Sequence, residues 1–128
     1  AWIDDLDYFF RPENAYPKEM RYSKPVVVLI NEGTRSGKEA LAFSLQHSGR
    51  AKLVGQHTAG AFLPGRLFPI DDRTALYLPT RDFEFMGRRL EGNGVCPDIE
   101  VAGNESDQRN SDDQYEKAVA VLLDILNN

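Results

Sequence analysis

The sequence predicts an α/β fold in a single domain, and three observations carry that prediction. Residues 26–30 form an unbroken apolar, β-branched run, which is typical of a strand covered on both faces. A helical pattern follows over residues 36–48, and residues 51–55 form a second short apolar run. Strand, helix and strand in this order predict a right-handed βαβ unit with parallel strands.

The sequence patterns for the remaining elements are weaker. Residues 66–70 and 74–78 flank Asp71-Asp72-Arg73 and predict a hairpin. Residues 81–85 and 88–91 are expected to extend the sheet, Gly92–Gly94 to form a tight turn, and residues 99–101 a short strand. We also expect a short helix over residues 2–10, a mobile loop over residues 103–114 and a final helix over residues 115–126.

Each long helix is expected to bury one side. For the first, we predict that the inner side is formed by Ala40, Leu41, Ser44, Leu45 and Ser48, with Phe43 beside them. For the second, it is formed by Ala118, Val119, Leu122, Ile125 and Leu126.

Composition excludes several function classes. A formal charge of −5 and a pI near 5.0 argue against a nucleic-acid partner. The apolar runs are too short for membrane insertion, and one cysteine (Cys96) with two histidines (His47 and His57) offers no metal-ligand spacing, so neither metal nor cofactor is expected. The chain begins at Ala1 without Met, so we expect a piece of a longer protein. Its compartment stays open, with an extracytoplasmic or periplasmic site favoured over a cytoplasmic one.

Ser36 is the residue that the local pattern singles out. A buried strand would deliver its hydroxyl to the first turn of a helix, beside amide groups that lack intrahelical partners. An oxyanion formed on a substrate carbonyl would find donors there. The alternative is structural: Thr34 or Ser36 caps the helix, and Glu39 completes a capping box. The local residues leave both interpretations open.

Two longer segments carry a family resemblance. They are NEGTRSGKEALAFSLQHSGRAKLVGQHTAG (residues 31–60) and LEGNGVCPDIEV (residues 90–101). Together they resemble the C-terminal processing (tail-specific) serine peptidases, a superfamily that includes the tricorn core protease and the interphotoreceptor retinoid-binding proteins. The resemblance implies a crotonase/Clp-protease-like ββα-spiral half-domain with a mixed sheet. Residues 1–128 would then be the C-terminal portion of a catalytic domain, with the core of the match over residues 25–101.

The same resemblance assigns site residues. Ser36 takes the nucleophile position, and the Gly37 N–H is the expected oxyanion donor. The commonest branch of the family has a lysine base twenty-five residues after its serine, but position 61 here is Ala61, which cannot accept a proton. One explanation is that the chain belongs to the tricorn-like branch, with an upstream histidine and Glu91 completing the site. The other is that the base at position 61 has been lost, naturally or by engineering. In both cases we expect the isolated chain to be inactive.

Three functions compete at this point. The resemblance favours a serine endopeptidase that hydrolyses unstructured polypeptides. A non-catalytic ligand- or peptide-binding module on the same fold is the alternative, and a crotonase-like acyl-CoA enzyme is a third. An incomplete unit should also leave a sheet edge uncovered, so we expect that it can form homo-oligomers.

Overall fold

The computed structural model describes residues 17–20, 22–102 and 113–127. The predicted helix over residues 2–10 and residues 103–112 of the predicted loop (103–114) lie outside them. A 3-10 turn (Lys18–Met20) precedes seven elements: β1 (Val27–Ile30), α1 (Gly37–His47), β2 (Lys52–Gly55), β3 (Gly65–Pro69), β4 (Ala75–Pro79), β5 (Ile99–Glu100) and α2 (Asp113–Asn127). The α/β class is confirmed, and Gln114, which was expected to lie in a loop, belongs to α2.

The strands form two sheets. In the first, β1, β2 and β5 are parallel with β2 in the centre, which confirms the parallel β1–α1–β2 unit. The second sheet is the predicted hairpin, in which β3 and β4 pair antiparallel over five residues each. The predicted parallel and antiparallel pairings are therefore present in separate sheets.

Residues 81–91 do not extend either sheet, so that expectation is wrong. They form one isolated bridge, between Phe85 and Arg88. Met86 and Gly87 between them both have positive φ, 51° and 75°, which reverses the chain after one pair. Phe85 is buried in the core, with its ring centroid 5.5 Å from that of Phe62. Burial of the aromatic ring, rather than strand pairing, sets the path of this segment.

The core lies between α1 and the parallel sheet, and the predicted inner side of α1 is wrong in part. The core consists of Ile30, Ala42, Phe43, Leu53, Phe62, Phe85, Leu90 and Val95, with Ala40 packed against it. The buried residues of α1 are Glu39, Ala42 and Phe43, whereas Leu41 is 60% exposed. Positions i, i+3 and i+4 share one helix face, so turning Glu39 inward carries Ala42 and Phe43 with it and leaves Leu41 outside.

The second helix is attached to the sheet through a side chain. Gln114 donates from Nε2 to the carbonyl oxygens of Ile30 (2.7 Å) and Val54 (2.9 Å), at the ends of β1 and β2. Beyond this anchor α2 covers the sheet only in part: Ala118 is buried, but Val119, Ile125 and Leu126 are exposed, contrary to the predicted face. Leu29 on β1 is also 41% exposed, so this strand is not covered on both faces.

The hairpin leaves much apolar surface open. Its strands expose Leu67, Phe68, Leu76, Tyr77 and Leu78. Among the described residues, β1 and β5 are also the outer strands of their sheet, and self-association through the uncovered surface stays a prediction. Of the helices in the part of the chain that the structure describes, neither combines the length and apolarity needed to cross a bilayer.

Gly55 generates the first testable prediction. It has φ 131°, and a Cβ there would overlap the Gln114 amide nitrogen and the Ile30 carbonyl oxygen. Gly55→Ala should therefore lower the free energy of unfolding by at least about 2 kcal/mol, measured by urea denaturation. Gly37→Ala is the matched control, because a Cβ there meets no atom within 4 Å. Equal effects of the two substitutions would contradict this account of the β1–β2–α2 junction.

Asp98 generates a pH prediction. Burial by itself raises the pKa of its carboxyl, but hydrogen bonds from Leu53 N–H, Gln46 and Lys52 outweigh burial and hold the pKa below its ordinary value. A lowered pKa contributes stability above the unfolded-state pKa of about 3.9, and this is lost as the pH falls through the folded-state pKa. Asp98→Asn should thus reduce stability at pH 7, and the deficit should shrink below about pH 4.

The measurement is the urea midpoint from pH 7 to pH 3. Asp72→Asn, at an exposed position between β3 and β4, provides the baseline. A deficit for Asp98→Asn that stays constant over this range would show that the carboxylate charge is not what joins α1 and β2 to the 96–98 segment.

Candidate active site

Ser36 lies at a strained corner between β1 and α1. Its backbone has φ 58° and ψ −133°, and it is the N-cap residue of α1. These angles belong to the first central position of a type II′ turn, which strongly favours glycine. The serine is nevertheless exposed to solvent. A residue with a side chain therefore adopts a backbone conformation that favours glycine, and this side chain is accessible to solvent.

The first turn of α1 opens onto free space beside this serine. Gly37 is the first helical residue, so its N–H is one of the amides without an intrahelical acceptor. A side chain at position 37 would meet no atom within 4 Å. The N–H groups of Glu39 and Ala40 donate to the Ser36 carbonyl oxygen at 2.8 and 3.3 Å. The turn is thus closed through backbone atoms, and Gly37 itself is exposed.

Position 61 lies directly against the serine. The Ser36 N–H donates to the Ala61 carbonyl oxygen at 2.9 Å. The structure therefore brings together the two positions that the sequence resemblance paired, across 25 residues of chain. The methyl group of Ala61 has no atom that can accept a proton.

Glu91 binds the two residues that follow Ala61 in the same loop. Its Oε2 accepts hydrogen bonds from the N–H groups of Phe62 (2.6 Å) and Leu63 (2.8 Å). The following bend is anchored as well, because Gly92 N–H donates to the Gly60 carbonyl oxygen at 2.8 Å. Gly92 and Gly94 adopt φ 71° and 57°, which confirms the predicted tight turn. The Glu91 carboxylate is thus bound to Phe62, which directly follows Ala61, the residue that contacts Ser36.

Two buried polar residues of this site were not predicted as such. Glu39 is fully buried, and Thr58 is 5% exposed. Thr58 Oγ1 donates to Glu39 Oε1 at 2.6 Å and accepts from Val95 N–H at 2.8 Å. The sequence suggested only a capping role for Glu39, and the predicted capping box is present: Glu39 Oε2 accepts from the Ser36 N–H at 3.0 Å. The sequence offered one signal that Glu39 is buried: it precedes the apolar residue Phe43 by four positions, so the two side chains share a helix face.

The other polar candidates make separate contacts. The Phe43 and His47 rings pack with centroids 5.5 Å apart, and His57 Nδ1 bonds the Thr58 carbonyl oxygen at 2.9 Å. Cys96 is an exposed free thiol. Within residues 17–20, 22–102 and 113–127, no group of three or more His, Cys, Asp or Glu side chains could hold a metal ion.

The chain is similar in sequence to processing proteases. A carboxyl-terminal-processing protease of Picosynechococcus is 34% identical over 103 residues, covering 77% of this chain and 25% of that protein. The carboxy-terminal processing protease CtpA of Bacillus subtilis is 44% identical over 89 residues, covering 66% and 18%. The chain therefore spans a quarter or less of the length of these relatives.

Solved structures agree with this similarity. The tricorn protease superposes on 81% of the chain with a TM-score of 0.73 at 28% identity, and mature CPAF complexed with lactacystin on 85% with 0.63 at 26%. The chain covers 11% and 21% of these two proteins. Residues 6–101 match the family model of peptidase family S41. Since that match spans most of the 128 residues, the chain belongs to peptidase family S41.

Proposed function

We propose that this chain is the C-terminal portion of a serine peptidase catalytic domain, with Ser36 as the nucleophile. The observation that carries the proposal is an exposed serine at φ 58° and ψ −133° on a strand-to-helix corner. A non-glycine residue in such a conformation costs about 1–3 kcal/mol, and strain of this kind clusters at active sites. A helix cap alone needs no such backbone, so nucleophilic catalysis is the better account of this serine.

The chemistry follows from the position of the hydroxyl. The Ser36 oxygen would attack a peptide carbonyl carbon, and its proton would pass to a general base. The carbonyl oxygen would become an oxyanion, which the Gly37 N–H would stabilise. Two features support that donor: it is at the helix N-terminus, and it lacks an intrahelical acceptor. Loss of one such donor typically lowers turnover by about 10²–10³-fold.

The general base is proposed to come from outside this chain. Ala61 occupies the position next to Ser36 where a lysine would act, and an alanine cannot replace it. A histidine from a preceding segment, oriented by Glu91, would complete a three-part site. The similarity to the tricorn protease and the short span of this chain relative to its relatives support this arrangement. The chain by itself is then catalytically inactive.

Polypeptides are the proposed substrates. Several similar proteins are named for processing of carboxyl termini, and an extended peptide would fit a site whose nucleophile projects from a corner. Cleavage of unstructured segments near a C-terminus is the function that this combination supports best.

The nucleophile assignment predicts a labelling pattern with a fluorophosphonate probe. In a longer protein that contains this chain and the proposed histidine, Ser36 should be labelled, and Ser36→Ala should abolish labelling. Ser48→Ala is the matched control, because Ser48 is an exposed serine at the other end of the same helix. The 128-residue chain alone should give background labelling only. Labelling that survives Ser36→Ala would refute the assignment.

A substitution at Glu91 can separate the effect of its negative charge from the effect of its hydrogen bonds to the loop. A glutamine there keeps a carbonyl oxygen for the Phe62 and Leu63 amides but loses the negative charge. If Glu91 orients the base, Glu91→Gln should reduce the labelling rate of the longer protein by roughly 10²–10⁴-fold. Its urea midpoint should change little. Unchanged labelling together with a lowered midpoint would instead assign Glu91 to anchoring the 61–63 loop alone.

A further inference from the structure

The corner at Ser36 needs something that holds it. Its φ and ψ angles favour glycine, and an exposed loop residue is otherwise free to relax into an ordinary conformation. Strain persists only where the surroundings over-determine the backbone. Two acceptors meet the Ser36 N–H, the Ala61 carbonyl oxygen at 2.9 Å and Glu39 Oε2 at 3.0 Å. The second of these is a buried carboxylate.

Glu39 is unusual among the acidic residues that the structure describes because it is fully buried. A carboxylate removed from water costs much free energy unless donors replace its hydration. Four donors do so here. Oε1 accepts from Thr58 Oγ1 (2.6 Å) and Gly60 N–H (2.8 Å), and Oε2 accepts from Ser36 N–H (3.0 Å) and Ala61 N–H (3.1 Å). Each carboxylate oxygen therefore accepts hydrogen bonds from two different residues.

The hydrogen-bond partners of Glu39 lie in different segments of the candidate site. Ser36 belongs to the corner, and Gly60 and Ala61 belong to the loop that carries the position expected for a base. Thr58 extends the network through its Oγ1 to Val95 N–H (2.8 Å), just after the bend that begins at Glu91. One carboxylate thus joins the three segments that make up the candidate site.

We propose that Glu39 is a positioning residue whose buried carboxylate holds Ser36 in its glycine-like conformation and fixes the 58–61 loop against it. The proposal deepens the proposed function, because it rests on Ser36 being the nucleophile that must be held. A carboxylate that only stabilised the fold would contribute the same stability whatever residue occupied position 36.

A double-mutant cycle on this chain tests the proposal without any activity. Ser36→Gly relieves the backbone strain, so it should raise the folded-to-unfolded ratio about fivefold in urea. In the Glu39→Gln background the corner is free to relax, and the same substitution should give less than about a twofold gain. Glu84→Gln, the same change at an exposed glutamate, should leave the gain from Ser36→Gly unaltered. Equal gains in all three backgrounds would overturn the proposal.

Amide hydrogen exchange provides a measurement that needs no substitution at Glu39. The Gly60 and Ala61 amides, although they lie in a loop, should exchange on the order of 10²-fold more slowly than free amides, at a rate close to that of Ser36. Thr58→Val removes one donor to Oε1, so it should accelerate exchange at Gly60 more than at Ser36. Free-peptide exchange at Ala61 would overturn the proposal even if Glu39→Gln did not fold.

The two proposals can fail separately. If Ser36 is not labelled in the longer protein while the cycle shows coupling, Glu39 still holds the corner and the catalytic assignment falls. If Ser36 is labelled, Glu39→Gln should lower the labelling rate of the folded protein by at least about tenfold, since misplacement of a reacting group by 1 Å costs up to 10²-fold. Labelling at the unchanged rate would show that Ser36 is held by other contacts.

Discussion

The candidate site depends on the hydrogen bonds received by one buried carboxylate. Glu39 brings a negative charge into the core beside Phe43, and this arrangement is stable only because four donors surround it. Three of those donors are backbone N–H groups, and two of them, at Gly60 and Ala61, lie in a loop where no helix or sheet supplies an acceptor. The carboxylate therefore satisfies the backbone at the same time as the backbone satisfies the carboxylate.

This mutual dependence explains why the site can contain strain. The corner at Ser36 and the loop at Ala61 are joined both directly, through a 2.9 Å backbone bond, and indirectly, through Glu39 Oε2. Below them, the parallel pair β1–β2 fixes where the two segments leave the sheet. The sheet determines the approximate place, and the polar network determines the conformation.

In the proposed function, the site is divided between this chain and a preceding segment. The chain contains the corner with the serine, the first turn of α1 and the Glu91 carboxylate, and these are held by contacts within the chain. Ala61 occupies the place where one branch of the family would have its base. Membership of peptidase family S41 and a span of a quarter or less of its relatives are both consistent with a site completed by further residues.

The sequence by itself determined the order of elements, because apolar runs, helical spacing and the glycine bend at 92–94 are local patterns with local causes. It also determined the chemistry available at Ser36, Ala61 and Glu91. Only the tertiary structure decided which helix face is buried. Glu39 turns inward because donors from residues far along the chain meet there, and the exposure of Leu41 follows from that. The conformation of Ser36 was equally hidden, since a strained backbone is maintained by contacts at long range, which no local pattern encodes.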